Sequence, residues 1–191
     1  MLDVAQKQNQ NELWAWIKAI GFAIIFTMGI RYFIFSPVVV EGASMMPTFE
    51  NGDKVIINKV GPKISSYQRF DVIVFKANEE ENYIKRIIGL PGDHIAYKDD
   101  VLYINGKAYE EPYLTKYKEA LLDKGDFTYD FTLEDQLGEM IVPEGHFFVL
   151  GDNRRRSIDS RDQTVGFVSQ NEILGTAGFV LWPFDRIGST H

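Results

Sequence analysis

Polar positions thin out early in the chain and then return. Residues 1–12 are mixed, with Asp3, Lys7 and Glu12 among them. From Leu13 to Phe35 apolar and aromatic residues dominate, and the centre, Ala19 to Ile30 (AIGFAIIFTMGI), carries no charge. As a helix that centre rises about 18 Å, against about 30 Å of bilayer hydrocarbon. The flanks lengthen it: Trp14 and Trp16 at one end, Tyr32, Phe33 and Phe35 at the other, suit membrane interfaces. Lys18 and Arg31 lie where long side chains can snorkel, and Pro37 stops the helix. The pattern predicts one transmembrane helix over 13–35, uncleaved. A buried core helix and a cleaved export signal are the alternatives. The latter calls for a basic start and a small-x-small cleavage site, and Asp3, Lys7 and Glu12 do not make a basic start. Lys18 favours a cytoplasmic N-terminus and Arg31, a second positive charge at the far end, counters it, so charge leaves the orientation open.

After residue 36 the period shortens to that of strands. Val38–Gly42 (VVVEG), Lys54–Val60, Asp71–Phe75, Tyr83–Leu90, His146–Leu150 and Gly178–Trp182 are short, apolar and β-branched. Pro91-Gly92-Asp93 closes the fourth as a turn. HIAY, DD, VLYI and Asn105-Gly106 predict a pair of hairpins, because both residues of Asn-Gly tolerate positive φ. Between Glu110 and Glu144 the chain turns acidic and less periodic, with helix formers around Lys116–Lys124. The expected fold is mainly β: an antiparallel β-rich core with a small inserted β/α region at about 97–145.

Composition narrows the chemistry. Of 191 residues, 45% are hydrophobic and 25% charged, which is ordinary for a globular chain. A net charge of −7 argues against broad phosphate-backbone binding, so no nucleic acid is expected. The absence of cysteine excludes disulfides, thiol nucleophiles and cysteine-rich zinc sites. Three histidines (His94, His146, His191) form no HExxH pair. No metal and no cofactor are expected.

Three segments carry candidate chemistry. Gly42-Ala-Ser-Met-Met-Pro-Thr48 follows the first strand, and its Gly and Pro flanks can expose Ser44 on a defined backbone; a serine nucleophile needs an adjacent base. In Tyr83-Ile-Lys-Arg-Ile-Ile-Gly-Leu-Pro-Gly-Asp93, strand alternation puts Lys85 on the face of Tyr83 and Ile87. Loss of hydration there disfavours the charged amine. A neutral base near pH 7 requires a fall from about 10.4 by roughly two or three pH units, or about 3–4 kcal/mol. Gly151-Asp-Asn-Arg-Arg-Arg-Ser-Ile-Asp-Ser-Arg161 is a loop whose acids and arginines can pair and fix it. Read singly, the three are also a turn serine, a snorkelling lysine and a solvated charged turn or anion-binding arginine cluster.

Read in order behind an apolar segment, these segments resemble the signature boxes of bacterial type I signal peptidases, in particular the Gram-positive branch. Gly52-Asp53, Arg69-Phe-Asp-Val-Ile-Val-Phe75 and Trp182-Pro-Phe184 extend the similarity over roughly Leu13 to Asp185. The resemblance implies a membrane-bound serine endopeptidase with Ser44 as nucleophile and Lys85 as general base, a Ser–Lys variant of triad logic. It implies that Ser157 orients the lysine, that Asp159 and Arg161 form a structural ion pair, and that Asp152, Asn153 and Arg154 support the loop. Val40, Gly42, Met45, Phe49, Tyr83 and Ile84 are implied to bind substrate. The substrate would be an exported precursor cut after a small-x-small motif such as Ala-x-Ala, with membrane lipid and translocon proximity as further partners. Residues 1–12 would be a cytoplasmic tail and 36–191 an extracytoplasmic catalytic domain. Two positions depart from the family pattern. Gly42 offers no hydroxyl to a second oxyanion donor, and Phe70 stands where the family often has glycine.

Three rivals differ in chemistry or class. A Ser–His–Asp hydrolase built on His146 lacks the GxSxG elbow. A self-cleaving repressor-type protease calls for a DNA-binding head. An anchored, non-catalytic β-domain could hold signal peptides or secretion components without cutting.

Overall fold

The computed structural model describes residues 2–33, 35–61, 66–122 and 125–190; for 2–13, 30–33, 35 and 116 it describes backbone only. Two compact units result, one up to Ser36 and one from Pro37 onward. The first is helix α1 (Leu2–Phe33). Its large apolar side chains are exposed on all sides, including Trp16 at 70%, Phe22 at 72% and Ile25 at 72%. Among the described residues no helix is long and apolar enough to cross a membrane. The stretch with described side chains, 14–29, rises only about 24 Å. The interfacial residues predicted at Arg31, Tyr32, Phe33 and Phe35 lie outside the described side chains.

The second unit holds two antiparallel sheets. The larger runs β1 (Phe35–Val39), β2 (Lys54–Asn58), β11 (Ile173–Trp182), β3 (Val72–Lys76), β4 (Asn82–Gly89), β9 (His146–Leu150), β10 (Val168–Ser169), and β12 (Gly188–Ser189) pairs with β11. The smaller runs β7 (Lys107–Tyr109), β6 (Val101–Ile104), β5 (Ile95–Lys98), β8 (Phe131–Thr132). Short helical turns at Thr115–Glu119 and Leu133–Leu137 accompany it.

Period-two alternation explains the packing. In β3, Val72 and Val74 join one core cluster with Val40, Met45, Phe49, Val55 and Ile57. Ile73 and Phe75 point the other way, into a cluster with Ile87, Phe147 and Val149. A third cluster ties the small sheet (Ile95, Tyr97, Leu102, Phe131) to Ile88, Phe148 and Leu150 of the large one. Strand β4 contributes Ile88 to the third cluster and Ile87 to the second, so one strand links the packing of both sheets.

The Asn105–Gly106 turn has the predicted positive φ at both residues, 52° and 76°. Strand β11 is longer than expected: it begins at Ile173, and its alternation is broken by irregular registers at Ile173/Gly175 and Ala177/Phe179. Strand β1 ends at Val39, so Val40 to Gly42, expected to continue it, already belongs to the following loop. Phe70 adopts φ 72°, a left-handed conformation that favours glycine. Its ring packs against Tyr113, 5.7 Å between centroids, and its carbonyl accepts from Arg86 at 2.8 Å. These contacts offset the local strain at a position where glycine needs none.

Candidate active site

Ser44 sits in a turn that leaves β1 and is tied down on both sides. Val40 N–H donates to the Asp53 carbonyl and Gly52 N–H to the Val40 carbonyl, both at 2.8 Å. Gly42, at φ 86°, turns the chain and donates its N–H to Asn51 Oδ1 at 2.9 Å. From the distant loop, Asn153 N–H donates to the Ser44 carbonyl at 2.9 Å, and Asn153 Nδ2 to the Ala43 carbonyl at 3.1 Å. The Thr48 hydroxyl donates to Asp152.

Lys85 reaches this turn from β4, where it pairs across from Ile73. Its Nζ donates to Ser44 Oγ at 2.9 Å and to the Ile84 carbonyl at 3.0 Å, and lies 5.1 Å from the centre of the Tyr83 ring. The lysine is only 3% exposed. Burial pushes its pKa down to about 8, against the smaller upward pull of Asp159 and Asp152. A substantial neutral fraction beside a serine hydroxyl can accept that hydroxyl's proton. The Ser44 hydroxyl thus has a lysine, not a histidine, as its partner. His146 lies at the start of β9 with Nδ1 2.9 Å from the Glu144 carbonyl oxygen.

The loop after β9 is held by ion pairs rather than by apolar packing. Arg86 grips Asp152 in a bidentate pair, Nε to Oδ1 at 2.8 Å and Nη2 to Oδ2 at 2.7 Å, with both side chains buried. Arg161 grips Asp159 at 2.8 Å on both oxygens, and Asp159 also accepts from Gly151 N–H at 3.0 Å. Arg154 runs to the small lobe, where it donates to Glu111 and to the Tyr97 hydroxyl, each at 2.5 Å. Burial alone would raise the Glu111 carboxyl, but Arg154 and the Tyr113 and Tyr97 hydroxyls hold it below its ordinary range. The sequence reading missed Glu111 and Tyr97, which lie far along the chain from Arg154 and belong to no local pattern, and it gave no role to Thr48, the last residue of the Ser44 segment.

Ser157 is brought next to this centre without engaging Lys85. Its Oγ is buried and has no hydrogen-bond partner among the described residues. A Cβ on Gly151 would collide with the Ser157 side chain and stand 2.5 Å from the Ser44 carbonyl oxygen. Only glycine fits between the two serines.

A cleft of about 530 Å³ opens in front of Ser44 and Lys85. Of the residues expected to bind substrate, Val40, Gly42, Tyr83 and Ile84 line it. Met45 and Phe49 do not: at 1% and 0% exposure they are packed in the core with Val55 and Val74. The turn after Ser44 coils them inward, with a Phe49 N–H to Met45 carbonyl bond at 3.0 Å. Ile57, Val74 and Leu174 add to the lining in their place. Among the described residues no cluster of metal-ligating side chains occurs.

The stretch 13–182 matches the family model described as signal peptidase, peptidase S26. A signal peptidase I of Bacillus caldolyticus is 52% identical over 95% of this chain and 96% of the relative. Signal peptidase I S of Bacillus subtilis (strain 168) is 43% identical over 96% of each. A crystal structure of a signal peptidase I from Enterococcus faecalis V583 superposes with TM-score 0.55 at 45% identity, covering 59% of this chain and 97% of that one.

Proposed function

Since this chain belongs to the signal peptidase family, peptidase S26, we propose that it removes signal peptides from exported precursors with Ser44 as nucleophile and Lys85 as general base. The observation that carries this reading is the 2.9 Å bond from the buried Lys85 amine to the Ser44 hydroxyl. Neutral Lys85 takes the Ser44 proton as Oγ bonds to the scissile carbonyl carbon. The resulting ammonium gives a proton to the leaving amine as the C–N bond breaks. Lys85 then deprotonates the water that hydrolyses the acyl-enzyme.

The Ser44 N–H makes no hydrogen bond among the described residues, which suits it to the oxyanion. Gly42 N–H is committed to Asn51 and is not a second donor. Ser157, with its free buried hydroxyl, is assigned to steady Lys85 once Ser44 has given up its proton. The cleft walls formed by Val40 and Ile84 favour small side chains beside the cut, in keeping with an Ala-x-Ala rule. Residues 13–35 are read as the membrane anchor, 1–12 as a cytoplasmic tail and 36–191 as the extracytoplasmic domain. The apolar surface that α1 exposes on all sides supports burial in lipid. Tethering beside the membrane raises the local concentration of emerging precursors.

The test is cleavage by the full chain in detergent. A precursor with an Ala-x-Ala site should yield one product mass with the wild type and none with Ser44→Ala. Equal cutting by Ser44→Ala overturns the assignment. Precursor capture without product favours a binding module. A second expectation concerns Gly151→Ala: because the methyl must displace Ser157 or the Ser44 carbonyl, kcat should fall by about 100-fold. A variant within a factor of two of wild type would show that the Ser44 turn tolerates displacement.

A further inference from the structure

A second cavity, of about 300 Å³, lies against the Ser44 turn and shares Ala43 and Arg156 with the cleft. We propose that this cavity receives the first residues of the released mature chain, and that Arg156 selects for acidic side chains there. The inference rests on the peptidase reading above.

The two cavities are separated by the turn that carries Ser44. The cleft is bounded by 38–42 and by Tyr83 to Lys85, and an extended peptide laid along it brings the acyl side of its scissile bond to Ser44. The chain beyond that bond must leave past the other side of the turn, where Ala43 and Met46 border the second cavity. At about 3.3 Å per extended residue, the second to fourth residues after the cut lie roughly 7–13 Å along the chain from the scissile bond. Its wall is apolar and braced: Phe127 is 2% exposed and packs on Tyr117, 5.6 Å between centroids, and Leu121 stands beside them. Asn153, which fastens the Ser44 and Ala43 carbonyls, forms its polar edge.

The charges on the two cavities differ. The cleft carries Glu41, Glu80 and Glu81 beside Lys85 and the shared Arg156, whereas the second cavity carries Arg155 and Arg156 and no acid. Arg155 is spent on the Gly125 and Asp126 carbonyls, at 2.8 and 2.7 Å, and so forms a fixed positive edge. Arg156 is exposed, and its guanidinium makes no hydrogen bond or ion pair among the described residues. In a chain of net charge −7, an unpaired arginine on the ridge between the scissile site and an apolar cavity is a ready partner for a carboxylate. Acidic residues placed early in the mature segment would be drawn to the arginine side and repelled from the glutamate side, which also fixes the direction in which a peptide lies.

The experiment uses the full chain in detergent and two precursors with one signal sequence, whose second and third mature residues are Asp-Asp or Lys-Lys. Wild type should cut the acidic precursor with a kcat/KM about three- to fivefold higher, the size of an exposed charge pair. The preference should shrink at 1 M salt. Arg156→Gln should erase it and Arg156→Glu should invert it. A matched pair carrying the same charges on the signal side of the cut should respond to neither variant. Equal cutting of the acidic and basic precursors by wild type overturns the inference, as does an Arg156 effect that follows charge on the signal side. If wild type cuts neither precursor, the peptidase reading falls and this inference with it.

Discussion

Lys85→Met should fold normally and lose nearly all turnover, by roughly 10⁴-fold or more in kcat. Methionine matches the length of the lysine stem and suits a site only 3% exposed, so the fold loses little. What disappears is the proposed base, the amine bonded to the Ser44 hydroxyl. The wild-type pH profile provides an independent check. Lys85 has its pKa lowered to about 8 by burial, and the proposed mechanism works through the neutral amine. The base is therefore mostly protonated below that value, with about a tenth neutral at pH 7. The ratio kcat/KM should climb about tenfold per pH unit on the acid side and level off above pH 8. A flat profile between pH 6 and 9, or a Lys85→Met variant that still cuts at a tenth of the wild-type rate, would rule out Lys85 as the base.

The second large effect falls on stability. Asp152→Asn should destabilise the protein by about 3–5 kcal/mol, because the Arg86 charge stays buried after its countercharge is gone. Arg86 is 3% exposed and Asp152 is 0%, so water cannot take over. The Asn amide can replace one of the two oxygens that now accept from Arg86, but not the charge. For a chain of this size the loss should appear as a fall in Tm of about 10 °C or more. Ser44→Ala, which removes no buried charge partner, should melt close to wild type. If Asp152→Asn melts within 2 °C of wild type, the pair is not what holds the loop.

The strand pattern was readable because most strands bury one face or two in uninterrupted alternation, as in Val72 to Phe75. It failed where alternation is interrupted. The bulged start of β11 read as non-strand, and the two-residue strands β8, β10 and β12 have no period to show. At the site, Ser44 and Lys85 were legible from the types and order of residues in their segments. Met45 and Phe49 came from the resemblance alone, and the turn that carries Ser44 packs them into the core instead. The Glu111–Arg154 link was invisible, since nothing near Glu111 announces a buried carboxylate until the small sheet encloses it. The free Ser157 hydroxyl could not be foreseen, because hydrogen-bond reach is set by tenths of an ångström that no spacing rule encodes.

Asn153, which holds the Ser44 and Ala43 carbonyls, follows them by more than a hundred residues, 110 in the case of Ala43. The Thr48 to Asp152 bond spans 104. A chain growing from its N-terminus on the ribosome therefore displays its serine long before it possesses the residues that aim it. Contacts of such long sequence separation form late. With Ser44 as the proposed nucleophile, the chain can align it only when its last third has been made and docked. That delay would keep an incomplete chain from acting on precursors.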